Sequence, residues 1–294
     1  MNAKFVFLIL HYKNADVTIQ CIESICNTIH GTKYDVVIVD NASQNGSLEE
    51  LLEKYKENPN LHFISNKINL GYAKGNNVGF SYAKNELKAD YICLVNNDAI
   101  FTDPDWIEKA KTLYEKTSYY VLGPDVVTPD GEHQNPFRQT VAGTGKVIKN
   151  LVHDIVVYIL LKLGIQKKFR NRIHVQNVWE ACDWRKSQEN FSGVLHGSCM
   201  IFSPAFIQEF DGLYNGTFLY VEEDILCYIL HKLQCRYIYS NELQIRHCHA
   251  TSLKRSIQDE NKRKLVTVKH RIKSYAKFLR ITLSHDGVAK YLKA

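Results

Sequence analysis

The feature that most constrains the fold of this 294-residue chain is a series of short apolar runs that recur about every thirty residues. The runs are rich in Val and Ile and are continuous rather than alternating, which is typical of strands buried on both faces of a parallel sheet. Segments with helical periodicity lie between them, and this alternation predicts a doubly wound α/β sheet with right-handed crossovers. The runs are Phe5–Leu10, Tyr34–Val39, Leu61–Ile64 and Tyr91–Val95.

Two of the intervening segments carry their apolar residues on one helical face, which predicts amphipathic helices packed on the sheet. These residues are Val17, Cys21, Ile22 and Ile25 in the first segment and Leu48, Leu51, Leu52 and Tyr55 in the second. Ser47, followed three positions later by Glu50, predicts a capping box at the start of the second helix.

The composition, 45% hydrophobic and 23% charged, is that of a globular protein rather than a disordered one. No apolar stretch reaches the roughly 20 residues of a membrane-spanning helix, so we expect a soluble, cytoplasmic protein. The eight cysteines include no CxxC pair, and we expect buried reduced thiols rather than zinc ligands or disulfides.

The net charge of +6 comes from one segment, residues 254–280, which contains ten Lys or Arg and two Asp or Glu. Two structures fit this segment: a basic helix lying on the inner face of the cell membrane, or a helix packed on the parent domain. Because no reader motif accompanies the basic residues, we expect no nucleic-acid partner. The apolar stripe of the segment consists of Leu265, Val268, Ile272, Tyr275 and Leu279.

Polar clusters follow three of the predicted strands, at the edge where doubly wound sheets bind their ligands. The clusters begin at His11, Asp40 and Asn96. Taken singly, each is also compatible with ordinary turn chemistry. Asp40 directly follows Val-Ile-Val, and a carboxylate at that position can accept a hydrogen bond from a ribose hydroxyl or a base N–H.

Three glycines at four-residue spacing, Gly71, Gly75 and Gly79, give one helix an edge without Cβ atoms. A phosphate or another helix could approach the backbone closely there. The pattern is neither GxGxxG nor a P-loop, so dinucleotide and ATP sites lose support. Nucleotidyltransfer would call for a glycine-rich loop after the first strand, and His11–Asn14 contains no glycine.

Six stretches, in this order, resemble family 2 glycosyltransferases, an inverting family with the GT-A fold. They are more narrowly similar to its bacterial rhamnosyltransferase-like branch, which builds surface polysaccharides. The stretches are His11-Tyr12, Val39–Ser43, Asn69–Gly79, Asn96–Asp98, His196–Met200 and Phe218–Asp224.

The resemblance implies a GT-A fold with a doubly wound, mostly parallel sheet flanked by helices, a helical insertion and a C-terminal helical segment. It implies inverting transfer of a sugar from a UDP- or dTDP-sugar to an acceptor hydroxyl on a growing surface or capsular polysaccharide. The acceptor would be a glycan or a lipid-linked oligosaccharide. The alternative is a non-catalytic nucleotide-sugar or glycan-binding module.

The resemblance also assigns roles to individual residues. A divalent cation, Mg²⁺ or Mn²⁺, would offset charge on the diphosphate leaving group, with Asp98 and His247 as its protein ligands. The residues placed at the donor sugar and acceptor side are His196, Gly197, Ser198 and Glu222. The residues placed at the donor nucleotide are His11, Tyr12, Asp40, Asn41, Asn69, Gly71, Lys74, Asn76 and Asn97.

Inverting transfer needs a base that takes the proton of the acceptor hydroxyl. The resemblance puts Glu223 at the base position, where the family usually has Asp, and Asp224 follows as an alternative. Apart from the resemblance, Glu222, Glu223 and Asp224 would suit the acidic first turn of any helix.

The predicted GT-A domain covers residues 1–252, and residues 253–294 form a basic helical extension. Residues 132–192 match the family poorly and predict a helical insertion. This insertion would either pack on the sheet or contact the membrane or a lipid-linked acceptor. It contains the apolar segment Leu151–Leu163, the basic residues Lys167, Lys168, Arg170 and Arg172, and the tryptophans Trp179 and Trp184.

Overall fold

The computed structural model describes residues 3–30, 32–165, 183–248, 259–284 and 287–293. Within these ranges the strands are β1 Phe5–His11, β2 Tyr34–Asp40, β3 Leu61–Ser65, β4 Tyr91–Asn96, β5 Ala99–Phe101, β6 Val121–Val127, β7 Cys199–Phe202 and β8 Tyr237–His247. The α-helices are α1 Ala15–Thr28, α2 Ser47–Tyr55, α3 Tyr72–Asn85, α4 Trp106–Thr117, α5 Thr144–Lys162, α6 Pro204–Glu209, α7 Glu222–Lys232 and α8 Glu260–Thr282. A short 3₁₀-helix, Val288–Leu292, follows α8.

The strands form one sheet in the order β3-β2-β1-β4-β7-β6-β8-β5. The four strands predicted from the apolar runs are its parallel half, which confirms the predicted α/β fold. Beyond β4 the sheet is mixed, because β7 runs antiparallel to both β4 and β6, and β5 runs antiparallel to β8. The parallel half carries three strand ends to one edge of the sheet.

Alternate residues of the central strands enter two apolar clusters, one on each face of the sheet. In β1, Val6 and Leu8 belong to one cluster, whereas Phe5, Phe7 and Ile9 belong to the other. All five are fully buried. Both faces of the strand are therefore covered, which is the reason that its sequence is continuously apolar.

The glycine edge of α3 packs on the sheet. A Cβ at Gly79 would lie 2.7 Å from Cγ2 of Val39, and one at Gly75 would lie 2.8 Å from Cδ1 of Leu10. We predicted that a phosphate or another helix could approach the backbone at this edge. At Gly75 and Gly79 neither does, because side chains of β1 and β2 fill the space. Gly71 caps α3 with φ of 81°, where a side chain would be strained.

The predicted capping box at α2 is wrong. Gly46, with φ of 82°, occupies the N-cap position, so Ser47 is already the first helical residue. The Ser47 hydroxyl lies 2.7 Å from Oδ1 of Asn45 and 2.9 Å from Nε2 of His11. The helix therefore begins one position earlier than the capping box predicts, and the Ser47 hydroxyl bonds to the His11 side chain at the end of β1.

Helix α5 packs against α8, and its buried residue Val147 also belongs to the apolar cluster on one face of the sheet. The Asn150 amide donates to the Tyr275 hydroxyl at 3.3 Å, between residues 125 positions apart in sequence. In turn α8 packs on the parent domain, since the Phe278 and Tyr228 rings meet at 5.3 Å. No helix within the described ranges is both long and apolar enough to cross a membrane.

Candidate functional site

The carboxyl ends of β1, β2 and β4 lie side by side, as predicted for the polar clusters. His11 is in register with Asp40, and Leu10 with Asn96. The Nε2 atom of His11 lies 3.9 Å from Oδ1 of Asp40. We call this group the strand-end cluster; it consists of His11, Asp40, Asn41, Asn96, Asn97 and the loop 66–71.

His11 supports the strand-end cluster from inside the protein. The side chain is fully buried; its Nδ1 lies 2.8 Å from Oγ1 of Thr18, and its Nε2 lies 2.9 Å from Oγ of Ser47. Thr18 also accepts a hydrogen bond from the Asn97 amide at 3.0 Å. Burial lowers the pKa of His11, which favours a neutral ring. Direct contact between this ring and a nucleotide would have to replace one of these bonds.

Asn41 joins the end of β2 to the loop before α3. Its Nδ2 donates to the Gly71 carbonyl and to Oδ1 of Asn69, both at 3.1 Å. The carboxylate of Asp40 accepts a hydrogen bond from the Ser43 amide at 3.2 Å. Buried amides and a turn backbone therefore determine the shape of this part of the cluster.

The other predicted nucleotide contacts differ in exposure. Tyr12 is half-buried, with the Lys13 ammonium 5.0 Å from its ring centroid, and Lys74 is exposed on α3. Asn76 is buried and donates to the Tyr72 carbonyl at 3.0 Å, while its Oδ1 has no hydrogen-bond partner among the described residues. Tyr12 and Lys74 can be reached from solvent in this conformation, and Asn76 cannot.

The two predicted metal ligands are neighbours. Asp98 lies in the turn before β5 and His247 ends β8, and the pairing of β5 with β8 brings them together. The Nε2 atom of His247 lies 3.2 Å from Oδ1 of Asp98, and its Nδ1 lies 2.8 Å from Oε1 of Gln134. One ring nitrogen thus faces the Gln134 amide, and the other, Nε2, is directed at the carboxylate of Asp98.

Imidazole nitrogen and carboxylate oxygen together suit a divalent transition metal, and a carboxylate alone suits Mg²⁺. The amide of Gln134 would orient the His247 ring in the way that outer partners orient metal-binding histidines. Within the described residues, no group of three or more His, Cys, Asp or Glu could hold a metal ion. Asp98 and His247 therefore fit a cation that takes its remaining ligands from a phosphate group or from water.

The loop 196–198 lies between the strand-end cluster and the start of α7. The Tyr72 hydroxyl donates to the Gly197 carbonyl at 2.7 Å and lies 3.3 Å from Oδ1 of Asn96. A Cβ at Gly197 would lie 3.7 Å from Oε2 of Glu223. The structure thus brings residues predicted for the sugar side next to the predicted base.

The other two residues of this loop, His196 and Ser198, bond to each other, with Nδ1 and Oγ 2.8 Å apart. The His196 amide donates to Oδ1 of Asn135 at 3.0 Å. The His196 ring centroid lies 5.6 Å from that of His247. The predicted sugar-side and metal residues consequently occupy one region.

Helix α7 begins with three acidic residues, after two residues with positive φ. Tyr220 has φ of 70° and Val221 φ of 76°, a conformation that is unfavourable for a β-branched side chain and that often marks a functional site. Burial and the neighbouring carboxylate of Glu223 raise the pKa of Glu222 to about 8. Burial and the carboxylate of Asp224 likewise raise the pKa of Glu223.

Arg138 distinguishes the two candidates for the base. Its Nη1 atom forms an ion pair with Oδ1 of Asp224, which is 86 positions away in sequence. The side chain of Asp224 is buried and that of Arg138 is mostly buried. The carboxylate of Asp224 is therefore paired with a guanidinium, whereas that of Glu223 has a raised pKa.

A cavity of about 540 Å³ opens beside Glu223. We call it the α5–α8 cavity, because it lies between α5, the start of α7 and α8. Arg271 of α8 lines it, and the Nε atom of this residue lies 2.9 Å from Oδ2 of the buried Asp154 in α5. Its lining is mixed, with basic, acidic and aromatic side chains: Phe137, Arg138, Gly145, Lys146, Lys149, Asn150, His153, Tyr220, Val221, Glu223, Asp224, Arg271 and Tyr275.

Sequence reasoning missed three residues that support the site: Tyr72, Gln134 and Arg138. Tyr72 lies next to Gly71 in a recognised stretch, so an aromatic hydroxyl there could have been noticed. Gln134 and Arg138 lie in residues 132–192, the segment that we predicted to diverge from the family, and no local pattern identifies them there. Several residues considered from the sequence lie outside the described ranges: Lys167, Lys168, Arg170, Arg172 and Trp179.

Comparison with curated proteins finds relatives that are glycosyltransferases by name. The low-salt glycan biosynthesis hexosyltransferase Agl10 of Haloferax volcanii is 24% identical over 221 residues, 75% of this chain and 59% of that protein. A glycosyltransferase of Haemophilus influenzae is 28% identical over 183 residues, 59% of this chain and 50% of that protein. The chain thus spans between half and three fifths of the length of these relatives.

Solved structures share the fold. S. aureus TarS 1-349 in complex with UDP aligns with a TM-score of 0.55 at 14% identity, covering 98% of this chain and 68% of that chain. GalNAc-T7 with UDP, GalNAc and Mn²⁺ aligns with a TM-score of 0.59 at 12% identity, covering 98% of this chain and 58% of that chain. At these identities the likeness shows the fold alone, which is the predicted GT-A fold.

The sequence model of glycosyl transferase family 2 matches residues 7–179. The match includes most of β1, all of β2 to β4 and the strand-end cluster, and it covers more than half of the chain. The chain belongs to glycosyltransferase family 2.

Proposed function

We propose that this protein transfers a sugar, with inversion, from a UDP- or dTDP-sugar to an acceptor hydroxyl of a growing glycan. The observation that carries the proposal is the position of Glu223, which lines the α5–α8 cavity and also faces Gly197. The Gly197 carbonyl is bonded through Tyr72 to the strand-end cluster. A donor at the cluster and an acceptor in the cavity would meet at this carboxylate.

Glu223 would act as the base. Its raised pKa makes the carboxylate a better proton acceptor than an exposed glutamate. As the acceptor oxygen bonds to the anomeric carbon, its proton passes to Glu223 and the bond to the nucleoside diphosphate breaks. Asp224 is less suited to this role, because its carboxylate is already paired with Arg138.

Asp98 and His247 would hold a divalent cation at the donor diphosphate. When bound, such a cation supplies positive charge that stabilises the leaving group. The structure of GalNAc-T7 was determined with Mn²⁺ and UDP, and that of TarS with UDP, which supports a metal ion and a uridine nucleotide here. The relative Agl10 is a hexosyltransferase of low-salt glycan biosynthesis, which supports a glycan as the acceptor.

Donor binding is tested by thermal unfolding of the full chain with UDP, dTDP, GDP and their sugars, each with and without Mn²⁺. We expect stabilisation by a uridine or deoxythymidine nucleotide that depends on the metal, and loss of the metal-dependent part in Asp98→Asn. The Asp98→Asn variant in the absence of metal serves as the matched control, because its fold should be unchanged.

Catalysis is tested by release of nucleoside diphosphate from the donor that binds best. We expect Glu223→Gln to keep the thermal shift and to lower turnover about 10² to 10⁴-fold. Near-normal turnover in Glu223→Gln, with loss in Asp224→Asn, would transfer the base assignment to Asp224. Donor binding without any turnover by the native protein would instead support a binding module.

A further inference from the structure

Large apolar side chains that are exposed to solvent are concentrated on one helix. Within the described residues, the other large apolar side chains of this kind are scattered: Leu52, Ile68, Phe218 and Leu283. The concentrated set, which we call the α5 stripe, is 40–64% exposed and consists of Ile148, Val152, Ile155, Val156, Ile159 and Leu163. Contiguous apolar surface of this sort marks an interaction site, whereas single exposed residues do not.

The α5 stripe is one continuous surface. With 3.6 residues per turn, its six positions fall within an arc of about 100° on the helix. The opposite arc contains Val147, Asp154 and Val157, which are buried. Packing against α8 therefore does not cover the stripe, and the helix presents an apolar face to its surroundings.

Basic side chains lie on both edges of the α5 stripe. On the same helical wheel, Lys149 borders one edge and Lys162 borders the other, and both are exposed. The one acidic residue of α5, Asp154, is buried against Arg271. The exposed surface of α5 is consequently apolar and basic, with no carboxylate, which is the pattern of helices that lie in a membrane interface.

The neighbouring helix adds to this charge. Together, α5 and α8 contain eleven Lys or Arg and two acidic residues, although the whole chain has a net charge of only +6. A second copy of the chain placed on the α5 stripe would bring two such basic surfaces together, which is unfavourable. An anionic lipid surface provides both the apolar layer and the opposite charge.

The α5 stripe also adjoins the α5–α8 cavity. Lys146, Lys149, Asn150 and His153 line the cavity from the same helix, on the side next to the stripe. A membrane that contacts the stripe would therefore lie next to the cavity that Glu223 also lines.

We propose that the α5 stripe inserts into the headgroup region of an anionic membrane and holds the α5–α8 cavity against it. In this orientation Lys149 and Lys162 reach the lipid phosphates while their methylene groups stay in the apolar layer. The membrane contact is independent of the reaction proposed above. Its consequence for the acceptor, which would then be lipid-linked, rests on that reaction.

The test is sedimentation of the full chain with vesicles of phosphatidylcholine alone or mixed with phosphatidylglycerol. We expect binding to the mixed vesicles that weakens as salt is raised. The triple variant Val152→Ser, Val156→Ser and Ile159→Ser should reduce this binding about tenfold or more, because it removes apolar contact with the lipid. Leu52→Ser, which changes an apolar side chain on α2 that is 43% exposed, is the control and should bind like the native protein.

Each outcome has a distinct meaning. Unchanged binding in the triple variant, or no binding of the native chain to mixed vesicles, would overturn the proposal. A native dimer in sedimentation velocity that the triple variant converts to a monomer would assign the stripe to a second copy instead. Far-ultraviolet circular dichroism checks that the variant folds. Donor-induced thermal shifts test the proposed reaction separately, since they do not require lipid.

Discussion

In the strand-end cluster, most of the interactions are hydrogen bonds between amide, hydroxyl and imidazole groups near the ends of adjacent strands. Beside the α5–α8 cavity, the main interactions are ion pairs between segments that are distant in sequence. His11, Thr18 and Asn97 illustrate the first arrangement, with hydrogen bonds of 2.8–3.0 Å inside a buried network. Arg138 and Asp224, 86 positions apart, illustrate the second. The strand-end cluster is therefore stabilised by many weak hydrogen bonds, and the α5–α8 cavity by a few strong ion pairs.

The largest effect on stability should come from breaking the main charged pair of the cavity. Arg138→Gln leaves the buried carboxylate of Asp224 without its cation, so we expect a loss of about 3 kcal/mol or more in the free energy of unfolding. Urea denaturation measures this loss.

Lys264→Gln is the control for that experiment, because its pair with Glu260 is on the surface, with side chains 43% and 65% exposed. It should cost less than about 1 kcal/mol. The double variant Arg138→Gln and Asp224→Asn should recover part of the loss. Equal effects of Arg138→Gln and Lys264→Gln would remove the distinction between the two regions.

A pH-dependent effect should come next, at Glu222. Its pKa is about 8 in the folded protein and near the ordinary 4.5 when unfolded, so the folded state holds its proton more tightly. The resulting stability is fully present below about pH 4.5 and is lost as pH rises to about 8, by at most about 1.4 kcal/mol per pH unit.

Glu222→Gln removes that dependence. We expect the variant to be more stable than the native protein at about pH 8 and similar to it at about pH 5, as measured by urea denaturation at both values. Glu49→Gln, at an exposed position on α2, should leave the pH profile unchanged. Parallel profiles for native protein and Glu222→Gln would show that the carboxyl is ionised in the folded state.

The smallest effects should come from two glycines, one on α3 where it packs on the sheet and one in the lining of the α5–α8 cavity. Gly79→Ala places a methyl group against Leu8 and Val39 in the core, and we expect it to lower stability by about 1–3 kcal/mol. Gly145→Ala adds a methyl group with nothing within 4 Å in the first turn of α5, and we expect a gain of up to ~0.5 kcal/mol. Both are measured by thermal unfolding. A tolerated Gly79→Ala would mean that α3 packs more loosely on the sheet than the structure indicates.

Most of the strand-end cluster could be predicted from the sequence, because its residues directly follow apolar runs. Once Phe5–Leu10 and Tyr34–Val39 form adjacent parallel strands, His11 and Asp40 must lie at the same edge. Asp98 and His247 were named through the family resemblance, and the pairing of β5 with β8 explains why they meet. Burial of His11 was not predicted, since a polar residue after a strand can lie either inside or on the surface.

The cavity could not be predicted in the same way. Arg138 lies in a segment with no recognised motif, and its partner Asp224 looked like a free alternative to Glu223. The exposed apolar face of α5 was also ambiguous, because a helical stripe is compatible with burial or with a membrane contact. Only the position of α8 shows which face of α5 is covered.

The sequence by itself determined the α/β class, the parallel character of the first strands, the polar residues at their ends and the family. Each of these follows from local periodicity or from short motifs. Periodicity and motifs can be read from neighbouring residues without knowledge of distant contacts. The tertiary structure alone decided that Asp224 is paired, that Glu222 and Glu223 have raised pKa values, and that the α5 stripe is exposed. These properties depend on burial and on charges far away in the chain, and neither is encoded in the residues nearby.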